Sequence, residues 1–187
     1  MEEIQNLKAT VDDLQRQLRD KSERCQELER RCHLLEKLAH RDPSSGLRTE
    51  SYLRARVQEE IERSIRYPSA TTLVTLAAPE SCDAGLPGLG RHLSEELRVS
   101  DQVFSLSNHG IAILMIETPE EGARQVLNRL SSDLEQFVNG YGYSVTSFPV
   151  DTNLTDDFLK LAMERHNEVV SQLATNAHES TAQRTYH

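Results

Sequence analysis

The chain has 187 residues, of which 37% are hydrophobic and 27% are charged, and its formal net charge is -9 at pH 7. This acidic excess argues against nucleic acid or an anionic membrane surface as the main partner. No apolar run approaches the roughly 20 residues that span a bilayer, and the first residues, Met1-Glu2-Glu3, are acidic rather than signal-like. We therefore expect a cytoplasmic protein with one domain of ordinary size and an accessory segment.

The cysteines and histidines predict neither a disulfide framework nor a metal site. The three cysteines are Cys25, Cys32 and Cys82, and they do not form the pattern of a secreted disulfide scaffold. The seven histidines are scattered without the spacing of metal ligands. We expect no metal and no cofactor.

The N-terminal segment carries a heptad repeat. Residues 3 to about 40 contain no Pro or Gly, and apolar side chains recur at the a and d positions. The β-branched Ile4 and Val11 at a, with Leu at d, favour two parallel strands. The predicted dimer interface consists of Ile4, Leu7, Val11, Leu14, Leu18, Cys25, Leu28, Cys32 and Leu35.

Charges beside this seam agree with a parallel homodimer, in which each g residue faces the e residue five positions on in the partner. No such pair is repulsive, and three carry opposite charges: Glu3 with Lys8, Arg24 with Glu29, and Arg31 with Glu36. The alternative is a long helix that folds back on its own domain, because Lys21 at d and the cysteines at a weaken the seam. Across a dimer axis, Cys25 and Cys32 are either small buried apolar side chains or cross-chain disulfides.

Residues 42–177 predict an α+β domain. Pro43 and Gly46 end the first helix, so that residues 1–41 form the stalk. The later hydrophobic pattern favours a mainly antiparallel sheet flanked by helices. The predicted strands are 71–77, 102–106, 111–116 and 143–148, and the predicted helices are 47–66, 89–97, 119–138 and one that begins at Thr155 or Asp156. Residues 178–187 are predicted to be a disordered tail.

Apolar spacing also predicts which helix faces are buried. In the helix over 47–66, apolar residues recur at spacing four, and in the helix over 119–138 they follow the helical period. The predicted inward residues of the first helix are Leu53, Val57, Ile61 and Ile65. Those of the second are Ala123, Val126, Leu127, Leu130, Leu134 and Phe137.

Residues 42–165 resemble the GGDEF domain of diguanylate cyclases. The run Asp42-Pro43-Ser44-Ser45-Gly46-Leu47 is similar to that family's Asp-x-Leu-Thr-Gly-Leu opening, which often follows a coiled-coil helix. Residues 97–103 are similar to its Leu-Arg-x-x-Asp-x-Val stretch, and residues 111–115 and 118–130 to the strand and helix that follow. The resemblance implies a nucleotidyl-cyclase-like fold and a place in bacterial cyclic di-GMP signalling.

The signature loop departs from the family's pattern. The run Ser107-Asn108-His109-Gly110-Ile111 stands where active members carry Gly-Gly-Asp-Glu-Phe, whose carboxylates hold the Mg²⁺ that neutralises GTP. None of these five side chains is an anionic oxygen ligand. Leu76-Ala77-Ala78 replaces the family's second metal-binding Asp, and the segment with the guanine-recognising Asn and Asp is missing. We therefore predict a degenerate domain that is not an enzyme.

The resemblance also implies one retained ligand site. Family members often carry an inhibitory site for cyclic di-GMP, an Arg-x-x-Asp just before the signature hairpin, joined by an Arg of the following helix. Arg98, Asp101 and Arg129 match these positions. Guanidiniums can fork onto phosphate oxygens and guanine acceptor edges, while a carboxylate accepts from guanine N–H groups. The alternative is that Arg98 and Asp101 only end a helix and hold the turn into the hairpin.

Two functional interpretations follow. In the first, the chain is a catalytically inactive GGDEF-like signalling and scaffold protein, a homodimer that acts through an unidentified protein partner and binds cyclic di-GMP. In the second, it is a purely structural coiled-coil adaptor without a nucleotide ligand. His109 is either a pH-sensitive group at the hairpin tip or an ordinary exposed turn residue.

Overall fold

The computed structural model describes the backbone of residues 2–38, 40–42, 44–79, 85–108 and 110–184. Side chains are described for the same residues apart from 2–10, 12, 32–34, 36–38 and 177–184. The chain divides into two compact units, Met1–Ala39 and His40–His187. No helix of the described residues is long and apolar enough to cross a membrane.

The first unit is a single α-helix, α1 (Glu2–Leu38). Cys25 is exposed in the single chain. Five further residues of the predicted dimer interface are also exposed, with exposed fractions that range from 46% at Val11 to 72% at Leu18. The side chains of Ile4, Leu7 and Cys32 lie outside the described residues. The helix is therefore present, and its pairing with a second chain stays a prediction.

The second unit has the antiparallel α+β architecture that the sequence predicts. A four-stranded sheet in the order β2-β3-β1-β4 is antiparallel throughout. Its helices and strands are α2 (Glu50–Arg66), β1 (Thr71–Ala77), α3 (Leu86–Glu96), β2 (Gln102–Leu106), β3 (Gly110–Ile116), α4 (Glu120–Phe137), β4 (Gly142–Phe148) and α5 (Thr155–Arg184).

Helices cover both faces of the sheet, so the unit has three layers. Successive side chains of a strand point to opposite faces, and β3 accordingly sends Ile113 to one core and Leu114 to the other. The first core lies beneath α3 and α4, and the second beneath α2 and α5. The central strand β1 is buried along its whole length, and its last residue, Ala77, pairs with Gly110 of β3.

The structure corrects two predicted core positions. Ile65 is 56% exposed, because residues four apart on a helix advance by 400° and drift around it. Phe137, in the last turn of α4, is 37% exposed. Near the end of α2 the buried position belongs instead to Ser64, which is 3% exposed. Phe137 packs its ring against His92 of α3, with ring centroids 5.3 Å apart.

Three helix boundaries also differ from those predicted. The helix α2 begins at Glu50, after its N-cap Thr49, rather than at residue 47. The helix α3 begins at Leu86 rather than at residue 89, and it has Pro87 in its first turn, where proline's missing N–H costs nothing. The helix α5 continues to Arg184, into the segment predicted as a tail. Residues 155–184 contain no Pro or Gly, so solvation of this segment does not require the helix to end.

Candidate functional site

The three residues predicted to bind a ligand line one cavity of about 420 Å³. We call it the α3–α4 cavity, because it lies between the end of α3, one face of α4 and the end of β3. Its lining residues are Glu96, Leu97, Arg98, Asp101, Met115, Thr118, Gly122, Gln125, Val126 and Arg129.

Local structure positions Arg98 and Asp101. The backbone N–H of Leu97 bonds to the carbonyl oxygen of Leu93 at 3.0 Å and ends α3. The N–H of Asp101 then bonds to the carbonyl oxygen of Arg98 at 2.9 Å, which closes a turn directly before β2. This backbone bond is the turn that the structural alternative predicted. It leaves the Arg98 side chain exposed at the cavity.

Arg129 reaches the cavity from the middle of α4. Its guanidinium lies 3.4 Å from the carbonyl oxygen of Glu96, at the last residue of α3. Among the described residues, no carboxylate lies within 4.0 Å of the guanidinium of Arg98 or Arg129. Within the described chain, neither guanidinium therefore forms a close ion pair, although Asp101 lies near enough to Arg98 for their charges to interact.

Asp101 is the anionic member of the group and is half-buried. Burial raises the pKa of its carboxyl above the ordinary value, while a bond from the Ile116 N–H and the nearby charge of Arg98 oppose that rise. The carboxylate thus already has a backbone donor and lies close to one guanidinium. It can accept a further N–H from a ligand, since each carboxylate oxygen has two lone pairs.

The signature hairpin between β2 and β3 is bound by its own domain. The backbone N–H and the hydroxyl of Ser107 donate to one carboxylate oxygen of Glu50, at 3.2 and 2.7 Å. The Asn108 amide donates to the side chain of Asn167 at 3.1 Å. His109 lies outside the described residues, so both predicted roles, a pH-sensitive group and an ordinary turn residue, stay open.

Two residues that contact this hairpin were not predicted from the sequence. His166 is 2% exposed, and its Nε2 lies 3.2 Å from the carbonyl oxygen of Asn108. The sequence holds a signal for it, because His166 continues the spacing of four set by Phe158 and Ala162 on the buried face of α5. Glu50, at the start of α2, gives no such signal, since only the folded chain brings it to Ser107.

A second cavity, of about 310 Å³, adjoins the hairpin and includes Asp42, Ser105 and Gly110 in its lining. The pKa of Asp42 falls to about 2, chiefly because the hydroxyls of Ser45 and Ser44 donate to its carboxylate. Where the sequence predicts the loss of a metal-binding Asp, the end of β1 presents Ala77 and Ala78, both buried. In the part of the chain that the structure describes, no group of three or more His, Cys, Asp or Glu could hold a metal ion.

This architecture is similar to that of solved structures, although the sequence searches found no match. No family model matches the sequence, and no curated protein matches it. The GGDEF domain of FimX from Pseudomonas aeruginosa is similar to the chain with a TM-score of 0.60 and 17% identity, over 71% of this chain and 94% of that one. The chain has the fold of a GGDEF domain.

Two other GGDEF structures extend this comparison. The diguanylate cyclase SiaD from Pseudomonas aeruginosa, in complex with its activator SiaC, has a TM-score of 0.58 and 21% identity, over 92% of this chain and 74% of that one. The unit His40–His187 is smaller than 92% of this chain, so the match extends into α1. A microbial GGDEF domain described in its interaction with cyclic di-GMP has a TM-score of 0.60 and 14% identity, over 76% of this chain and 94% of that one.

Proposed function

We propose that the chain is a catalytically inactive GGDEF-like signalling protein that binds cyclic di-GMP in the α3–α4 cavity. It acts as a cytoplasmic homodimer, through protein–protein interaction. The observation that carries this proposal is the convergence of Arg98, Asp101 and Arg129 on one cavity. Among the described residues, no carboxylate lies within 4.0 Å of either guanidinium.

The chemistry of the cavity fits a guanine nucleotide with phosphodiester groups. Arg98 and Arg129 supply donors in the planar fork that matches phosphate oxygens or the acceptor edge of guanine. Asp101 supplies the acceptor for guanine N–H groups. The apolar side chains of Leu97 and Val126, which also line the cavity, offer surface to a base.

Catalytic inactivity is supported by what surrounds the hairpin. Transfer of a nucleotidyl group from GTP needs Mg²⁺ held by anionic oxygens. The described residues at the signature are Ser107, Asn108 and Gly110, and the facing end of β1 carries alanine side chains. The Glu50 carboxylate, which contacts the hairpin, already accepts from Ser107 and Arg54.

Calorimetry tests ligand binding. We expect cyclic di-GMP to bind the full chain at micromolar concentrations, and Arg98→Ala to weaken binding about tenfold or more, since hydrogen bonds to charged groups contribute roughly 1.5–3 kcal/mol. The matched control is Arg91→Ala, because Arg91, in α3, is also an exposed arginine but does not line the cavity. The proposal fails if no heat is seen at tens of micromolar, or if both variants bind like the parent chain.

Incubation with GTP and either Mg²⁺ or Mn²⁺ tests the inactivity. We expect no cyclic dinucleotide and no pyrophosphate above the level of a blank without protein. Any cyclic product that grows with protein concentration and disappears on heating the protein contradicts this part of the proposal. Such a result would not contradict binding of cyclic di-GMP in the α3–α4 cavity.

The second candidate is a purely structural coiled-coil adaptor, which the exposed apolar side chains of α1 favour. The SiaD structure shows a chain of similar fold in complex with an activator protein. A partner retained equally by the parent chain and by Arg98→Ala, with and without cyclic di-GMP, would support the adaptor over the nucleotide-binding protein.

A further inference from the structure

The strand β4 has a free edge, because the sheet order places β1 on one side of it and no strand of the described chain on the other. Along such an edge, every second residue directs its N–H and C=O away from the sheet. The carbonyl oxygen of Val145 accepts from the side chain of Arg165 rather than from β1. The backbone N–H and C=O of Val145 therefore point away from β1. The same holds for Tyr143 and Ser147, two positions away on either side.

The C-terminal half of this edge is closed by one ion pair. Arg165 donates to the Val145 carbonyl oxygen at 2.7 Å and to the Asp151 carboxylate at 2.8 Å. The other carboxylate oxygen of Asp151 accepts from the Ser147 N–H at 2.7 Å, and the Asp151 N–H donates to the Ser147 carbonyl oxygen at 2.8 Å. These contacts occupy the groups that another strand would need.

The N-terminal half of the edge has outward backbone groups without a partner in the described part of the chain. Tyr143 is its exposed residue, whereas Val145 is 7% exposed. Among the described residues, no hydrogen bond reaches the N–H or C=O of Tyr143 or the N–H of Val145 on the outer side. A cavity of about 730 Å³ adjoins these groups and is lined by Glu135, Asn139, Gly140, Tyr141, Gly142 and Tyr143. The phenol ring of Tyr143 is 41% exposed there.

We propose that this N-terminal half of the β4 edge, from Tyr141 to Val145, binds an extended basic peptide of a partner protein by strand addition. The outward backbone groups supply the hydrogen bonds of an added strand. The Glu135 carboxylate and the two tyrosine rings in the adjoining cavity favour a Lys or Arg side chain, through charge and cation–π attraction.

Charge argues against a second copy of the chain as the occupant. Pairing two β4 edges around a two-fold axis would bring together two copies of Glu135 on chains that each carry a net charge of -9. A basic peptide instead neutralises the site. The lining of this edge cavity shares no residue with the α3–α4 cavity, so peptide binding here does not depend on cyclic di-GMP.

Fluorescence anisotropy with labelled synthetic peptides tests the site. The probes are decapeptides in which Thr or Val alternates with Lys, and matched decapeptides with Glu in place of Lys. We expect the full chain to bind the lysine set at least tenfold more tightly than the glutamate set, and Glu135→Gln to reduce that preference several-fold. Equal binding of the two sets, or no binding of either, overturns the proposal.

Backbone participation is tested at Tyr143. Tyr143→Pro removes the outward N–H without touching a bond to β1, since proline is tolerated on edge strands. We expect it to weaken binding of the lysine peptides about tenfold, whereas Tyr143→Ala, which also loses the ring but keeps the N–H, weakens binding only about threefold. If Tyr143→Pro does not fold, amide exchange in the parent chain replaces it. Addition of the peptide then slows exchange at Tyr143 and Val145, and unchanged exchange there overturns the proposal.

Discussion

His166 sits beneath the signature hairpin with its Nε2 facing the carbonyl oxygen of Asn108 at 3.2 Å. A carbonyl oxygen only accepts, so the proton of the neutral ring is on Nε2. The other ring nitrogen, Nδ1, is buried and has no hydrogen-bond partner in the described part of the chain. A second proton would have to be placed there without water, and burial accordingly lowers the pKa of His166 below 6.5, against the opposing effects of Asn108 and Glu50.

This arrangement predicts a pH dependence of stability. In the unfolded chain His166 takes up a proton near pH 6.5, but in the folded chain it does so only at lower pH. The unfolded state therefore binds more protons between the two pKa values. The contribution of His166 to stability is complete above about pH 6.5 and is lost as the pH falls from there toward the folded pKa. We expect a loss of up to about 1.4 kcal/mol per pH unit within that window.

Urea unfolding at about pH 7.5 and pH 5.5 measures this loss. The comparison is with His166→Gln, which can still donate to the Asn108 carbonyl group but does not titrate. The two proteins differ only at residue 166, so the difference between them isolates His166. The same change in unfolding free energy in both proteins would contradict the prediction.

Gly110 stands where the family's signature carries Glu, and packing explains why this position has no side chain. A Cβ atom at this position would lie 2.5 Å from Cε1 of His166 and 2.7 Å from the carbonyl oxygen of Leu76. Such separations force the neighbours to move, and one of them is backbone of the central strand. The fold of this chain therefore requires glycine at this position.

We predict that Gly110→Ala destabilises the chain by about 2 kcal/mol or more, as overpacking in a core does. The matched control is Gly88→Ala. A Cβ there meets the Phe137 ring at an ordinary 3.4 Å, and alanine is the better helix former by about 1 kcal/mol. Thermal unfolding should show a melting temperature several degrees lower for Gly110→Ala only. Equal melting temperatures in the two variants would show that the hairpin can shift.

At the scale of elements, the sheet was predictable because β-strand signals are local. Each of the four strands falls within one residue of its predicted bounds, since alternation, β-branched residues and tight turns mark a strand within a few residues of sequence. Helix ends were less predictable. The start of α3 depends on Pro87 being accepted in a first turn, and the end of α5 has no Pro or Gly to mark it.

Some residues of the candidate site could be predicted from the sequence and others could not. Arg98, Asp101 and Arg129 were found because their spacing matches a family pattern, and the fold brings them to one cavity. The bonds of Glu50 and His166 to the hairpin join residues 57 and 58 positions apart. No local pattern encodes contacts of that sequence separation, so they become visible only with the tertiary structure.

The exposure of Ile65 leads to a prediction within α2. Ile61 is fully buried in the core with Phe104 and Phe158, whereas Ile65 is 56% exposed one turn later. Ile61→Ala should cost about 2–5 kcal/mol of unfolding free energy, because it leaves a cavity. Ile65→Ala should stay within about 0.5 kcal/mol of the parent chain. Denaturant unfolding measures the free energy of unfolding of both variants. Similar losses in the two would contradict the prediction and indicate that Ile65 is buried.

At the scale of the whole molecule, the chain joins a single helix to a domain that has a complete core of its own. The α1 side chains at heptad positions remain exposed in the single chain, where Leu18 is 72% and Leu35 65% exposed. A helix with an apolar stripe of this length is normally covered by a partner helix. In the proposed parallel dimer, this contact would hold two α3–α4 cavities in one assembly.

Cysteine cross-linking predicts a definite result for that dimer. In a chain with Cys32→Ser and Cys82→Ser, Cys25 lies at an a position and meets its own copy across the axis of a parallel, in-register pair. The control carries Cys25→Ser as well, together with Gln26→Cys, which moves the thiol to a b position that faces solvent. Mild oxidation should convert most of the Cys25 protein to a linked dimer and leave the control largely monomeric on a non-reducing gel. In an antiparallel pair with fully overlapping helices, the two copies of Cys25 would lie roughly 15 Å apart along the axis, beyond disulfide reach. Equal yields at the two positions, or a parent chain that scatters light as a monomer, would therefore exclude the parallel dimer.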